Sequence, residues 1–171
     1  MNGIVSNATP LIYLAKSGRV NLLKKAFGQV FIPEEVKVEV VDGGKDLGER
    51  DAYLIEKAIN DGWIKVLKSE ILEIPIKLEL GEIAALSLAK KLGVKEVLVD
   101  EAPARTAARL LGLTPRGTIF PLLKALESKE VNLNDFLEIL NELIKQGFRL
   151  KEEVYLETMR KAREMTEKDN E

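Results

Sequence analysis

The sequence contains no cysteine and no histidine among its 171 residues. The absence of cysteine excludes disulfide bonds, thiolate metal sites and thiol nucleophiles. The absence of histidine excludes His-based catalytic triads and His-ligated zinc. Carboxylates are therefore the natural metal ligands of this chain, and carboxylates favour hard cations such as Mg²⁺ or Mn²⁺.

Aromatic residues, long apolar runs and net charge are also scarce. Aromatics make up 5% of the chain, so base stacking is not expected to be the main mode of nucleic-acid binding. The longest apolar runs are far shorter than a membrane span and no signal-like pattern is present, so we expect a cytoplasmic protein that does not enter the membrane. A net charge of −2 provides no global attraction to nucleic acid, and binding of that kind would need a local basic patch.

Short apolar runs alternate with helical patterns over most of the chain. Strands are predicted near 3–6, 30–32, 63–67, 96–99 and 113–116. The third and fifth of these are predicted at sheet edges, the fifth because Pro115 lacks an N–H. Residues 42–44, Asp-Gly-Gly, predict a turn or flexible loop. The alternation indicates an α/β fold, a three-layer α/β/α arrangement with a central parallel sheet of about four or five strands, plus C-terminal helices.

The chain beyond residue 130 has a different pattern. We predict an α/β domain over 1–129, a helical extension packed on it over 130–166, and a frayed tail over 167–171. The extension begins with an amphipathic helix over 132–146, whose predicted apolar stripe is formed by Leu133, Phe136, Leu137, Leu140, Leu143 and Ile144. This stripe either packs on the core of the domain, which is the commoner outcome, or forms a dimer interface.

Three acidic residues are placed where their chemistry is informative. Glu39 falls between Val36 and Val40 in a helical pattern, and carboxylates are seldom buried without a partner. Glu82 lies in the first turn of a very apolar helix, where negative charge is favourable. Asp100 follows a buried strand, and ligands of open α/β sheets bind beyond the carboxyl ends of the strands. A divalent cation would allow three such carboxylates to remain ionised together.

Each acid also has a purely structural interpretation. Glu82 can serve the helix end alone, and Asp100 can be only the N-cap of the helix that contains Pro103. Glu39 can pair with Lys37 or Arg50, or lie at the edge of its helix.

The order of several short motifs resembles the PIN-domain nucleases, with the prokaryotic VapC-like branch the most similar. The resemblance covers about residues 3–128, and the tail around 147–150 is similar to an extension of one uncharacterised PIN subgroup. The motifs that carry it are Ser6 to Ile12, Ile32 to Glu39, Gly81 to Ala85, Leu98 to Asp100, and Gly117-Thr118.

The resemblance implies a metal-dependent ribonuclease with a cluster of about four acidic positions. These positions match Asn7, Glu39, Glu82 and Asp100, which would hold Mg²⁺ or Mn²⁺, with Glu39, Glu82 and Asp100 as the catalytic acids. Asn7 departs from the pattern, because an amide oxygen ligates without adding charge. The resemblance further implies an RNA substrate, a toxin–antitoxin role with an antitoxin partner, and a homodimer.

The supporting residues implied by the resemblance are Thr9 and Thr118, beside the first and last acidic positions. Arg105 and Arg109 are four residues apart, so they share one helix face and could contact the RNA backbone. They could equally be solvated or paired with Glu101.

Two other functions compete with a nuclease. One is a non-catalytic RNA- or protein-binding module on the same fold, which the amide at position 7 favours. The other is a phospho-acceptor receiver domain, which needs a lysine at a late strand end. Lys124, the nearest candidate, lies inside a helical pattern, so this second alternative is disfavoured.

Overall fold

Five parallel strands form the centre of the molecule in the computed structural model, which describes residues 2–170. The strands are β1 (Ile4–Ser6), β2 (Val30–Pro33), β3 (Ile64–Leu67), β4 (Glu96–Leu98) and β5 (Thr114–Arg116). Their order across the sheet is β3-β2-β1-β4-β5. The strands predicted at 63–67 and 113–116 are therefore confirmed as the two edges. The middle strand is β1, and β4 is its neighbour.

The pairing registers bring the carboxyl ends of neighbouring strands together. Val5 is paired with Val97 and Ser6 with Leu98 between β1 and β4, and Leu98 is paired with Arg116 between β4 and β5. Both faces of the sheet are covered, since Val5, Val97 and Leu98 are fully buried. The residues that follow these strands therefore emerge at one edge, where the sequence placed the candidate site.

Helices lie on both faces of the sheet, which confirms the three-layer α/β/α prediction with C-terminal helices. They are α1 (Ala8–Lys16), α2 (Asn21–Phe27), α3 (Glu34–Lys37), α4 (Gly44–Asp46), α5 (Arg50–Asn60), α6 (Leu80–Leu92), α7 (Ala102–Leu110), α8 (Ile119–Glu127), α9 (Leu133–Lys145) and α10 (Glu152–Glu167). A π-helical turn, Val38–Gly43, joins α3 to α4.

The predicted turn at residues 42–44 is wrong, because the chain there remains helical. Gly43 and Gly44 have right-handed helical backbone angles. The physical reason for glycine at position 44 is space. A Cβ on Gly44 would lie 2.8 Å from the Cβ of Ala52 on α5, closer than real Cβ atoms approach. The small residue thus allows close helix packing instead of a reversal of the chain.

Two apolar clusters cover the two faces of the sheet. The smaller one packs α6 and α7 against β4 through small side chains such as Ala85, Ala104 and Ala108. The coil between β3 and α6 adds Ile74 and Ile76 to it, in agreement with the loop expected there. The larger cluster joins α1, α3, α5 and α8 to β1 and β2.

The C-terminal helices contribute to the larger cluster. Phe136, Leu140 and Leu143 of α9 are almost completely buried there. The predicted stripe is inaccurate at its ends: Ile144 is 40% exposed, and Ile139 is buried in its place. Ala162 fixes α10 on the same cluster. The apolar stripe of α9 therefore packs on the core of the domain.

The division into 1–129 and 130–166 remains a prediction. Residues 168–170 form a short 3-10 turn after α10, where the sequence predicts a frayed tail. Met1 and Glu171, the outer ends of the predicted segments, lie outside the described residues. Over residues 2–170, none of the helices has the length and apolar character needed to cross a bilayer.

We expect Phe136→Ala to lower the free energy of unfolding by about 3–5 kcal/mol, the usual cost of removing a buried phenylalanine ring. Phe136 is fully buried and large. Urea denaturation followed by circular dichroism measures the change. Ile144→Ala on the same helix is the control, and its cost should be below about 1 kcal/mol because Ile144 is partly exposed. Equal costs for the two variants would show that α9 is not held by its buried face.

Candidate active site

The candidate site lies where β1, β4 and β5 end and α6 begins. Asn7 directly follows β1, and its backbone N–H donates to the carbonyl of Leu98 at 3.0 Å, which ties it to β4. Asn7 is buried, and its side chain makes no capping hydrogen bond to α1. Its amide oxygen is thus free of a backbone partner in the helix that it precedes.

Asn7 and Glu39 meet at Gly81. The Oε2 atom of Glu39 and the Oδ1 atom of Asn7 lie 3.2 and 3.5 Å from the position that a Cβ on Gly81 would occupy. Glu39 belongs to the π-helical turn and is exposed as a residue, so it borders the apolar face of its helix instead of lying within it. Its alternative partner Lys37 is bound to Asp42 at 2.9 Å. The absence of a side chain at Gly81 allows the two oxygens to approach the first turn of α6.

Glu82 is buried in that first turn, with its two oxygens in different environments. Oε1 accepts a hydrogen bond of 3.0 Å from the backbone N–H of Glu79, in the arrangement of a capping box. Oε2 is buried without a hydrogen-bond partner. Buried polar atoms are rarely left in this state unless a ligand or water completes them. The structural interpretation therefore accounts for one oxygen of Glu82 and leaves the other available.

Asp100 is held by Thr118 and not by the helix that follows it. The backbone N–H and the hydroxyl of Thr118 donate to the two oxygens of Asp100, at 2.8 and 2.7 Å. Thr118 is fully buried at the start of α8. The N-cap of α7 is Glu101, so the alternative role of Asp100 as that cap is wrong. Two hydrogen bonds from a buried residue fix the orientation of this carboxylate.

Basic residues border Asp100. Arg105 is half-buried, and its Nη1 atom donates to the carbonyl of Val99 at 3.1 Å. Arg109 is exposed one turn further along α7. Burial, together with repulsion from Arg109 and Arg116, lowers the pKa of Arg105, and the charge of Asp100 opposes that shift. The three arginines therefore concentrate positive charge beside an acidic group.

Loss of hydration is the first cause of the raised pKa at all three acids, including Glu39, whose carboxylate is partly desolvated although the residue as a whole is exposed. For Glu39, repulsion from Glu79 and Glu82 raises the pKa further. For Glu82, the hydrogen bond from Glu79 opposes the rise in pKa, while the charges of Glu79 and Glu101 add to it. For Asp100, the bonds from Thr118 and the charge of Arg105 oppose the rise in pKa. The ionised site is thus unfavourable until positive charge enters it.

We expect the metal-free protein to become less stable as the pH rises from about 4.5 toward neutrality. A carboxyl with a raised pKa in the folded state prefers the protonated form there, so ionisation above its unfolded value of 4.5 lowers the free energy of unfolding. Melting temperatures in EDTA across this range measure the effect. Glu82→Gln should flatten the profile, while Glu138→Gln on the exposed side of α9 should leave it unchanged. Parallel profiles for the wild type and Glu82→Gln over the same range would contradict the assignment.

The donor set of Asn7, Glu39 and Glu82 fits a hard divalent cation. All three contribute oxygen, the atom that Mg²⁺ and Mn²⁺ prefer. The unpartnered Oε2 of Glu82 is the observation that supports this fit. Among residues 2–170, no group of three or more acidic side chains is arranged to hold a metal ion. The donor set of Asn7, Glu39 and Glu82 therefore offers a metal ion two carboxylates and one amide oxygen.

The structure adds residues that sequence reasoning did not single out. Glu79 orients Glu82 and adds charge, and the Glu-x-x-Glu spacing before an apolar helix would have predicted it as a capping box. Glu101 is exposed, and its charge raises the pKa of both Glu82 and Asp100. In the part of the chain that the structure describes, no side-chain hydrogen bond involves Thr9, so its supporting role stays a prediction.

The comparison with known families agrees with this arrangement. A family model described as a PIN domain matches residues 3–164. No curated protein and no solved structure matches the chain significantly. The match extends over the sheet, the candidate acidic site and most of the C-terminal helices, beyond the segment near 3–128 on which the motifs rest. Because the family model spans nearly its whole length, the chain belongs to the PIN-domain family, whose fold is of the nuclease type.

Proposed function

We propose that the chain is a Mg²⁺- or Mn²⁺-dependent endoribonuclease that hydrolyses RNA phosphodiester bonds. The observation that carries the proposal is the buried, unpartnered Oε2 of Glu82 in a site that Asn7 and Glu39 share. Buried negative charge without a partner is costly, and a divalent cation would relieve that cost.

In this proposal Asn7, Glu39 and Glu82 hold the cation. When bound, such an ion lowers the pKa of a water molecule and stabilises the charge that develops on a scissile phosphate. Thr118 keeps the carboxylate of Asp100 in one orientation, so little conformational freedom is lost when Asp100 acts on a reacting group. Arg105 and Arg109 attract the phosphate backbone toward the acids.

The test is cleavage of a fluorescent single-stranded RNA in Mn²⁺, in Mg²⁺ and in EDTA. The proposal expects internal cleavage with either metal and none in EDTA. Calorimetry of Mn²⁺ binding accompanies the assay, because the same residues should bind the metal without RNA. A protein that neither binds Mn²⁺ nor cleaves RNA would exclude the proposal.

A second function is favoured by one residue, Asn7. An amide in place of a carboxylate removes one negative charge from the ligand set and weakens its attraction for a cation. The chain would then be a PIN-like module that binds RNA or protein with little or no turnover. The VapC-like branch, a toxin–antitoxin role, an antitoxin partner, a homodimer and a cytoplasmic location remain predictions from the sequence.

A further inference from the structure

An aromatic pair flanked by two cations lies next to the candidate site. The rings of Phe27 and Phe120 are stacked, with centroids 6.1 Å apart and planes at 26°. The Cζ atom of Arg116 lies 4.2 Å from the centroid of Phe120. The Nζ atom of Lys124 lies 5.3 Å from the centroid of Phe27 and 5.6 Å from that of Phe120. We call these four residues the aromatic–cation patch.

Core packing does not account for Phe120. Its ring is partly exposed, and over residues 2–170 it is grouped with neither of the two apolar clusters. By contrast, Ile119 beside it and Phe27 opposite it both pack on the larger cluster. Phe120 therefore presents an aromatic surface that contacts cations and one other ring instead of the core.

One of the two cations of the patch, Lys124, has no compensating acid among the described residues. Arg116 forms one ion pair, in which its Nε atom contacts Glu96 at 2.8 Å. No ion pair of Lys124 occurs within the described part of the chain. Two cations beside an aromatic ring attract a ligand that has both negative charge and flat unsaturated groups. A single strand of nucleic acid has both along its whole length.

The patch and the acidic site share one turn of the chain. The backbone N–H of Phe120 donates to the carbonyl of Gly117 at 3.1 Å, and Thr118 between them holds Asp100. A Cβ on Gly117 would lie 3.1 Å from the Oδ1 atom of Asp100, so the turn passes against that carboxylate. The backbone of Phe120 is therefore joined to the turn that contacts Asp100.

We propose that the aromatic–cation patch binds single-stranded RNA, with a base packed against Phe120 and Arg116 and a neighbouring phosphate neutralised by Lys124. Bases stack both on aromatic rings and on arginine guanidinium groups. The proposal rests on the RNA-directed function proposed above, and it gives stacking a larger part than the composition, which disfavours stacking as the main binding mode, suggests. A few aromatics suffice when they lie together at the site.

The test measures binding in EDTA, where cleavage cannot contribute. Fluorescence anisotropy compares a labelled oligoadenylate with an abasic strand of the same length and with duplex RNA. Phe120→Ala should weaken oligoadenylate binding by about 5- to 150-fold, the effect of one stacked base, and leave the abasic strand unaffected. Phe120→Trp should retain the affinity. Circular dichroism melts verify that each variant is folded.

Tyr53→Ala is the matched control, because Tyr53 is 55% exposed on α5 and has Lys45 5.2 Å from its ring centroid. This variant should bind oligoadenylate as the wild type does. The proposal is overturned if the wild type binds no single-stranded RNA, if it binds the abasic strand equally well, or if Phe120→Ala binds unchanged. Cleavage in Mn²⁺ without an effect of Phe120→Ala would reject the patch alone. RNA binding that depends on the patch, without any cleavage, would reject the proposed nuclease activity and support RNA binding by the patch.

Discussion

Glu82→Gln is expected to reduce metal-dependent RNA cleavage by roughly 100-fold or more, since a catalytic ion contributes several kcal/mol and each 1.36 kcal/mol is tenfold in rate. The substitution is well matched to the structure. Glutamine retains an oxygen that can accept the hydrogen bond from Glu79, so the first turn of α6 stays capped. What it removes is the charge at Oε2, the buried oxygen without a partner.

The stability of this variant separates a catalytic role from a structural one. In EDTA at neutral pH, Glu82→Gln should be at least as stable as the wild type. The substitution removes the free-energy cost of the buried negative charge, which is the cost that raises the pKa of Glu82. The added stability that Mn²⁺ gives the wild type should be lost. Glu138→Gln serves as the control in both assays. Cleavage within about threefold of the wild type would show that Glu82 is not part of the reacting site.

Asn7→Asp is expected to raise Mn²⁺ affinity by about tenfold or more and to increase cleavage in parallel. An aspartate oxygen can occupy the place of the amide Oδ1, 3.5 Å from the Gly81 Cβ position, and it adds a full negative charge beside Glu39 and Glu82. Ligand charge is a main determinant of affinity at oxygen-ligated sites. Calorimetry and the fluorescent RNA assay measure the two effects.

The same change should destabilise the metal-free protein, because a third charge joins two groups whose pKa values are already raised. The melting temperature of Asn7→Asp should therefore fall in EDTA and recover with Mn²⁺. Cleavage by this variant with a silent wild type would identify the native chain as a weakened binder. Unchanged metal affinity would show that Asn7 does not face the cation.

The parts of the fold that follow from local pattern were predictable. Buried apolar runs next to helical periodicity indicated all five strands, and Pro115 correctly indicated an edge strand, since a residue without an N–H cannot complete a central ladder. The residues 42–44 were mispredicted because local propensity assigns Asp-Gly-Gly to a turn. Contact of Gly44 with Ala52, which is a tertiary interaction, overrides that propensity.

The candidate site was predictable in its chemistry and less so in its geometry. The acids at residues 39, 82 and 100 could be chosen because strand ends and helix starts are recognisable in sequence. The hydrogen bonds of Asp100 did not follow from local pattern, since Thr118 is distant from Asp100 in the chain and the pairing of β4 with β5 brings them together. Only the family resemblance indicated Thr118 as a supporting residue. The aromatic–cation patch escaped prediction for the same reason, because α2 and α8 contribute one ring each.

The sequence by itself determined most of the elements, the exclusion of thiol and imidazole chemistry, and the candidate oxygen ligands, because these depend on residue type and short-range spacing. The tertiary structure decided which oxygen of Glu82 is free, which residue fixes Asp100 and which aromatic ring lies outside the core. Burial and hydrogen bonding arise from contacts between residues that are remote in the chain. They set the pKa values and the availability of each group, and therefore what the site can do.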